Sequence, residues 1–357
     1  MSAEPATPYL RLDRERLGAN LERAAQRARA AGVVLRPHAK THKSARIADL
    51  QRAAGAVGLT VATVAEAEVF ADHGHDDLFV AYPLWLDAAR GARVAALAER
   101  VGLTFGVDSA EGAAQAARVL GSARSRVRVR VEVDAGHHRT GAAPADAGAV
   151  ARAADAAGLV VEGLFTFPGH AYAAGAGGAA RDDEARALAV AAAATRAVGL
   201  EPAVLSGGST PTLGSELDRP GELTELRPGV YALGDAQQWE LGHQPPHDVA
   251  LWCVATVVSH AGGRAVLDAG SKVLGADRAA YSSGWGRLLD HHEARVVALS
   301  EHHATVDLAG HGLPPLGSRV RVVPNHACVA VNLADVLHVD DEGREEPWAV
   351  DARGANA

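Results

Sequence analysis

The sequence predicts a (β/α)8 barrel of the TIM type followed by a C-terminal, mostly β domain. Three observations carry that prediction. From Val33 onward, short apolar, β-favouring runs alternate with Ala-rich stretches long enough for helices. The residues best suited to chemistry stand at the ends of several different runs, which a barrel gathers at one mouth and a doubly wound sheet does not. Beyond Asp235 the helical stretches give way to short strands parted by Gly, Pro and Asp turns.

Taken in order, the barrel strands are expected at residues 33–40, 58–64, 77–83, 103–109, 126–134, 160–169, 203–209 and 226–235. Helices fit between them at 46–54, 65–73, 86–100, 110–120, 144–157 and 181–198. The second domain reads as strands at 249–260, 264–270, 294–299, 304–308 and 318–323. Residues 242–247 look like a linker, so the barrel is assigned 11–240 and the β domain 241–357, with residues 1–10 packing on the latter.

At 357 residues, 48% hydrophobic and 22% charged, the chain has material for a large core and a smaller one. A net charge of −8 with no basic stripe argues against a nucleic-acid partner. No apolar run is long enough for a membrane span and residues 1–10 show no signal-peptide pattern, so a cytoplasmic protein without a membrane partner is expected. The two cysteines, Cys253 and Cys328, make no disulfide framework, which agrees with a reducing compartment.

The first strand ends in Arg-Pro-His-Ala-Lys-Thr-His-Lys, residues 36–43. A lone lysine is usually a solvated surface group. Here Arg36, His38, His42 and Lys43 crowd positive charge around Lys40, which favours a neutral amine able to form a Schiff base with a carbonyl. After the seventh strand, Ser206, Gly207, Gly208, Ser209 and Thr210 offer N–H groups and hydroxyls in the slot where barrels build phosphate sites. A Gly-Gly pair by itself is ordinary turn chemistry. Tyr231 on the eighth strand could reach the same phosphate, or simply pack.

The fifth strand ends in Val-Glu-Val-Asp-Ala-Gly-His-His-Arg-Thr-Gly, residues 131–141. Arg139 could hold a phenolate or carboxylate there, or form a surface salt bridge with Asp134. The sixth strand brings His170 and Tyr172, an imidazole and a phenol, to the same rim. His326 and Cys328 lie on one face if their segment is extended, and imidazole with thiolate suits zinc. The plain alternative is a buried free cysteine beside an incidental histidine. Two protein ligands leave positions for water or substrate, which is what metal catalysis needs. His302 and His303 are further candidates near that metal, whereas Cys253 reads as core.

Together these segments resemble the D-serine dehydratase and D-threonine aldolase family, fold-type III pyridoxal-phosphate enzymes with an alanine racemase-like barrel. Residues 36–43 look like the family's cofactor-lysine motif, the Arg139 segment like its fifth-strand motif, and Ser-Gly-Gly-Ser-Thr like its phosphate loop. Residues 268–272 and 348–354 look like family segments of the β domain. The resemblance implies pyridoxal 5'-phosphate on Lys40, with His38, Arg139, Tyr172, residues 206–210 and Tyr231 around it, and Lys40, Arg139, His170 and Tyr172 as catalytic groups. His-x-Cys is similar to the zinc-dependent D-serine dehydratase branch; the aldolase branch has His-x-Asp, a harder site suited to manganese or magnesium. The resemblance further implies a homodimeric dehydratase of a β-hydroxy-D-amino acid, D-serine foremost, with retro-aldol cleavage as the alternative. A racemase fits less well, since Tyr281, the β domain's one tyrosine, stands in an unmatched context. Two departures stand out: residues 300–303 replace the family's Glu-Glu-His, and no arginine occupies the seventh-strand position expected to face the pyridine nitrogen.

Overall fold

The computed structural model describes residues 5–357. The chain enters through strand β1 (Tyr9–Asp13) and helix α1 (Arg14–Ala31). The Asp13 carboxylate caps α1 by accepting the N–H of Arg16 at 2.9 Å. Neither element is expected from the sequence pattern.

Then come β2 (Val34–Leu35), α2 (Ala45–Ala53), β3 (Leu59–Val61), α3 (Val64–Asp72), β4 (Asp77–Pro83), α4 (Ala88–Leu97), β5 (Gly102–Val107) and α5 (Ala110–Leu120). They are followed by β6 (Arg128–Glu132), α6 (Ala147–Ala156), β7 (Val160–Phe165), α7 (Gly177–Ala197), β8 (Val204–Gly207), α8 (Leu213–Asp218) and β9 (Glu225–Leu226). The eight strands β2 to β9 form one parallel sheet in the order β2-β9-β8-β7-β6-β5-β4-β3. A parallel bridge between His38 and Thr60 links the segment after β2 to β3, and the Thr60 N–H donates to Pro37 O at 2.9 Å. The sheet therefore closes on itself as the predicted (β/α)8 barrel. Side chains at the helix starts reinforce the alternation: Thr63, Asp87 and Ser109 each accept a first-turn N–H.

Charge, as well as hydrocarbon, fills the barrel. Phe79, Phe105 and Phe165 are fully buried, and so is Arg130. The Glu225 carboxylate receives Arg36 Nε at 2.7 Å, Arg130 Nη1 at 2.5 Å and Ser206 Oγ at 2.7 Å. Burial opposes ionisation of Glu225, but Arg130 and Arg36 outweigh it and bring its pKa down to about 2.

Downstream lie α9 (Ala236–Glu240), β10 (Leu251–Ser259), β11 (Ala265–Leu267), α10 (Ser271–Leu274), β12 (Gly286–Leu288), β13 (Arg295–Leu299) and β14 (Ala304–Asp307). The chain ends through β15 (Arg319–Pro324), α11 (Ala327–Leu333), β16 (Val336–Asp341) and β17 (Arg344–Ala349). The second sheet has nine strands in the order β11-β14-β13-β12-β15-β10-β1-β16-β17. β1 lies inside it, antiparallel to β10 and parallel to β16. Its core gathers Tyr9, Trp252, Val254, Leu289 and Val323.

Contacts divide the chain into two compact units. One holds the residues up to Arg23, Thr41–Leu50 and Val230–Gly354; the other holds Ala24–Lys40, Gln51–Gly229 and Ala355–Ala357. Residues 242–247, expected as a linker, form a largely exposed turn pinned at Gln244, which is buried and donates from Nε2 to Tyr231 O at 3.1 Å. Among the described residues, no helix is long and apolar enough to cross a membrane.

Candidate active site

Lys40 sits half-buried in a single helical turn (Ala39–Thr41) beyond the first barrel strand, after the closing bridge at His38. The crowd of cations expected around it is smaller than the sequence suggests. Arg36 turns inward, where Asp77 Oδ2 at 2.9 Å and Glu225 neutralise it, so its charge is spent within the barrel. Lys43, in the other unit, donates from Nζ to Asn332 Oδ1 at 2.7 Å.

The glycine loop follows β8 as expected, but its donors are partly used within the chain. Ser206 points into the barrel, donating to Glu225 and accepting from Arg227 Nε at 2.8 Å, so its hydroxyl is not on offer to a phosphate. The Gly208 N–H donates to Glu184 Oε1 at 2.9 Å and the Ser209 N–H to Thr212 Oγ1 at 3.0 Å. Gly208 has φ +77°, and a Cβ there would lie 2.7 Å from Leu226, so glycine is required. Glu184 and Glu216 are buried together beneath this loop. Burial, then the neighbouring Glu184, push Glu216 up to about 10, so the pair holds a proton at neutral pH. Ser209 and Thr210 are buried in the loop. Tyr231 is buried in the turn Val230–Ala232 of the other unit.

At the ends of β6 and β7 the structure brings together Arg139, Tyr172 and His137 around Phe167. The Arg139 guanidinium lies 5.0 Å from the Phe167 ring centre, with His137 at 5.6 Å and Tyr172 at 6.2 Å. The Asp134–Arg139 salt bridge allowed by the motif is not what Asp134 makes: it accepts from His138 Nδ1 at 2.6 Å and from two backbone N–H groups. His170 Nε2 is 3.2 Å from Asp183 Oδ2. Its Nδ1 is buried with no hydrogen-bond partner among the described residues, and so is Thr166 Oγ1 at the end of β7. Two orphaned polar atoms, a half-buried lysine and a glycine loop at strand ends suit a polar cofactor.

Sequence reasoning misses Arg227. It is fully buried, held by Ser206 Oγ, Thr166 O and the faces of Phe79 and Phe165, and burial draws it down to about 10. A signal for it exists: Glu225 and Arg227 are two apart on a strand that should be apolar inside.

His326 and Cys328 lie at the start of α11, so the expected extended segment is helical from Ala327 onward. Three contacts hold the pair. His326 Nδ1 is 2.9 Å from Asp277 Oδ2, the Ala327 N–H donates to Asp235 Oδ2 at 3.2 Å, and Cys328 Sγ donates to Thr41 Oγ1 at 3.4 Å. The Cys328 sulfur pushes His326 up to about 10 against burial, with Asp235 and Asp277 adding to it. Burial raises Asp235 to about 6. An imidazole beside a thiol is a donor set that a soft divalent metal can occupy by displacing the thiol proton. Among the described residues, no cluster of three or more His, Cys, Asp or Glu stands ready to hold a metal, so the pair has two protein ligands to offer. His302 and His303 are exposed between β13 and β14. Cys253 is core, its thiol raised by burial.

Residues 12–237 match the alanine racemase N-terminal domain family, and residues 250–339 a serine dehydratase domain family. The chain is 35% identical to D-threo-3-hydroxyaspartate dehydratase of Delftia sp., covering 90% of both sequences. It is 32% identical to a D-threonine aldolase of Arthrobacter sp., covering 98% of this chain and 93% of the relative. The solved structure of the Delftia enzyme superposes with a TM-score of 0.88 over 97% of both chains. A cysteine-to-alanine mutant of that enzyme, described as its metal-free form, superposes at 0.87, with 31% identity and 97% of each chain covered.

Proposed function

Because this chain belongs to the fold-type III pyridoxal-phosphate family of dehydratases and aldolases, we propose that it eliminates water from a β-hydroxy-D-amino acid with the help of zinc. The family makes it a lyase. The observation that carries elimination is the His326–Cys328 pair, whose soft donors suit zinc better than manganese or magnesium. D-serine is the simplest substrate this reading admits, and D-threo-3-hydroxyaspartate is favoured by the Delftia relative.

When bound, the cofactor supplies an electron sink for a carbanion and zinc a Lewis acid for a departing hydroxide. Lys40 would hold the cofactor and, once released, take the α-proton at its Nζ. Arg139 would pair with a carboxylate or phenolate, its orientation fixed on the Phe167 face. His170 and Tyr172 would line the same rim, Ser209 and Thr210 would bind the phosphate, and His38 and Tyr231 would add contacts. His326 and Cys328 would hold zinc, leaving positions open to water and the substrate hydroxyl.

A second reading, retro-aldol cleavage, is favoured by the likeness to aldolases over nearly the whole chain. Product analysis separates the two. Purified enzyme supplied with pyridoxal phosphate and zinc is incubated with D-serine, D-threonine and D-threo-3-hydroxyaspartate. Ammonia with a 2-oxo acid supports elimination; glycine with an aldehyde overturns it. We also propose a cytoplasmic homodimer, and light scattering on the eluting protein would give a single-chain mass if that is wrong.

A further inference from the structure

We propose that Asp277 is a positioning residue for the metal pair: its carboxylate accepts a hydrogen bond from the Nδ1–H of His326 and thereby turns Nε2, with the Cys328 sulfur, toward the metal. The inference rests on the metal reading above and deepens it. His326 is the N-cap of α11, with extended backbone (φ −131°, ψ 106°), yet its side chain makes no capping bond. Its ring is engaged elsewhere, Nδ1 lying 2.9 Å from Asp277 Oδ2. An imidazole that donates from Nδ1 has Nε2 as its one lone pair for a metal.

The carboxylate does not arrive by chance, because the loop that carries it is fixed at several points. Asn325, the residue before His326, is 3% exposed. Its Nδ2 donates to the backbone oxygens of Asp277 at 3.2 Å and Gly284 at 2.7 Å. Arg278 lies 4.6 Å from the Trp285 ring centre and donates to Ser282 O. At the loop's start, Gly275 has φ +75°, and a Cβ there would lie 2.7 Å from Val329 on α11, so the loop packs against that helix only as glycine. Two consecutive residues thus address one partner: Asn325 holds the Asp277 backbone while His326 meets its carboxylate. The Asp277 side chain is 53% exposed, and a surface ion pair in that setting adds little stability. Its consequence lies in ring orientation and ligand basicity.

The test uses the full-length holoenzyme, stripped of metal with a chelator and titrated with zinc against a chromophoric competitor. Asp277→Ala is expected to weaken zinc binding by about 10- to 100-fold. Asp277→Asn should recover much of the loss, because its amide oxygen still accepts from Nδ1–H. Cofactor absorbance and the metal-free thermal midpoint should stay at wild-type values in both variants. In cobalt-substituted protein, the thiolate-to-cobalt charge-transfer band from Cys328 should keep its position, since Asp277 is not a ligand. An unchanged zinc Kd in Asp277→Ala overturns the proposal, and so does a shift of that band to a different coordination geometry. Should Asp277→Ala fail to fold, Asp277→Ser removes the same carboxylate and is read the same way. A wild-type protein that binds no zinc would sink the metal reading itself; zinc-binding wild type with an indifferent Asp277→Ala sinks only this inference.

Discussion

Lys40 and Cys328 can each be removed alone, and the two deletions report on different halves of the chemistry. Lys40→Ala should abolish the visible absorbance of bound cofactor and cut turnover by at least the roughly 10²- to 10⁴-fold typical of a lost general base. Unaltered D-amino-acid deamination in that variant would remove Lys40 from the mechanism. Cys328→Asp replaces a soft donor with a hard one, so activity should become better supported by manganese than by zinc; assays of the metal-stripped variant with each ion decide it. Both residues are legible in the sequence because a short motif surrounds each. Contacts between residues distant in sequence are not. Asp277 meets His326 across 49 positions of sequence, and Arg130 meets Glu225 across 95, distances over which no local pattern carries information. Arg36 shows the converse error: its place beside Lys40 in sequence suggests one role, and an ion pair inside the barrel gives it another.

Elements are legible wherever a hydrophobic run or a glycine punctuates them. Every barrel strand overlaps an expected run, and most of those runs are apolar, as suits parallel strands covered on both faces. Helix α1 escapes notice although its buried positions, Leu17, Leu21, Ala24, Ala25 and Ala28, have helical spacing. Most are alanine, and their weak hydrophobic contrast is lost among arginines and glutamates. β17 is invisible for a related reason, reading Arg-Glu-Glu-Pro-Trp-Ala, as suits a charged edge strand. Turn glycines carry consequences at this scale. Gly141 has φ +109°, and a Cβ there would lie 2.6 Å from the Asp134 backbone nitrogen. Gly141→Ala should therefore cost on the order of 1–3 kcal/mol in urea denaturation and loosen the segment carrying Arg139. A denaturation midpoint equal to wild type would show that the turn can relax.

For the whole molecule, two buried carboxyl sites set opposite pH dependences. Glu225 titrates lower in the fold than in the unfolded chain, so its contribution is complete above the ordinary glutamate range and lost as pH falls toward about 2. Glu216 titrates higher, near 10, so its contribution is complete in acid and drains away as pH rises from the glutamate range toward 10. Glu216→Gln keeps the neutral form and should flatten the alkaline side of the stability curve. The check is urea denaturation at about pH 5, 7 and 9, where the advantage of the variant over wild type should grow with pH. An advantage that stays constant would mean the pair does not titrate over that range.

The place of β1 in the second sheet bears on how the protein is born. Translation makes Tyr9–Asp13 before the barrel, whereas its neighbours β10 and β16 emerge only after the entire barrel has been synthesised. The hairpin β16–β17 joins that sheet through β1 alone. Until then an apolar strand waits unpaired, and completion of the sheet must be a late, long-range and slow event. The same arrangement means that the C-terminal strands, excised by themselves, would lack the strand that ties β16 and β17 to β10.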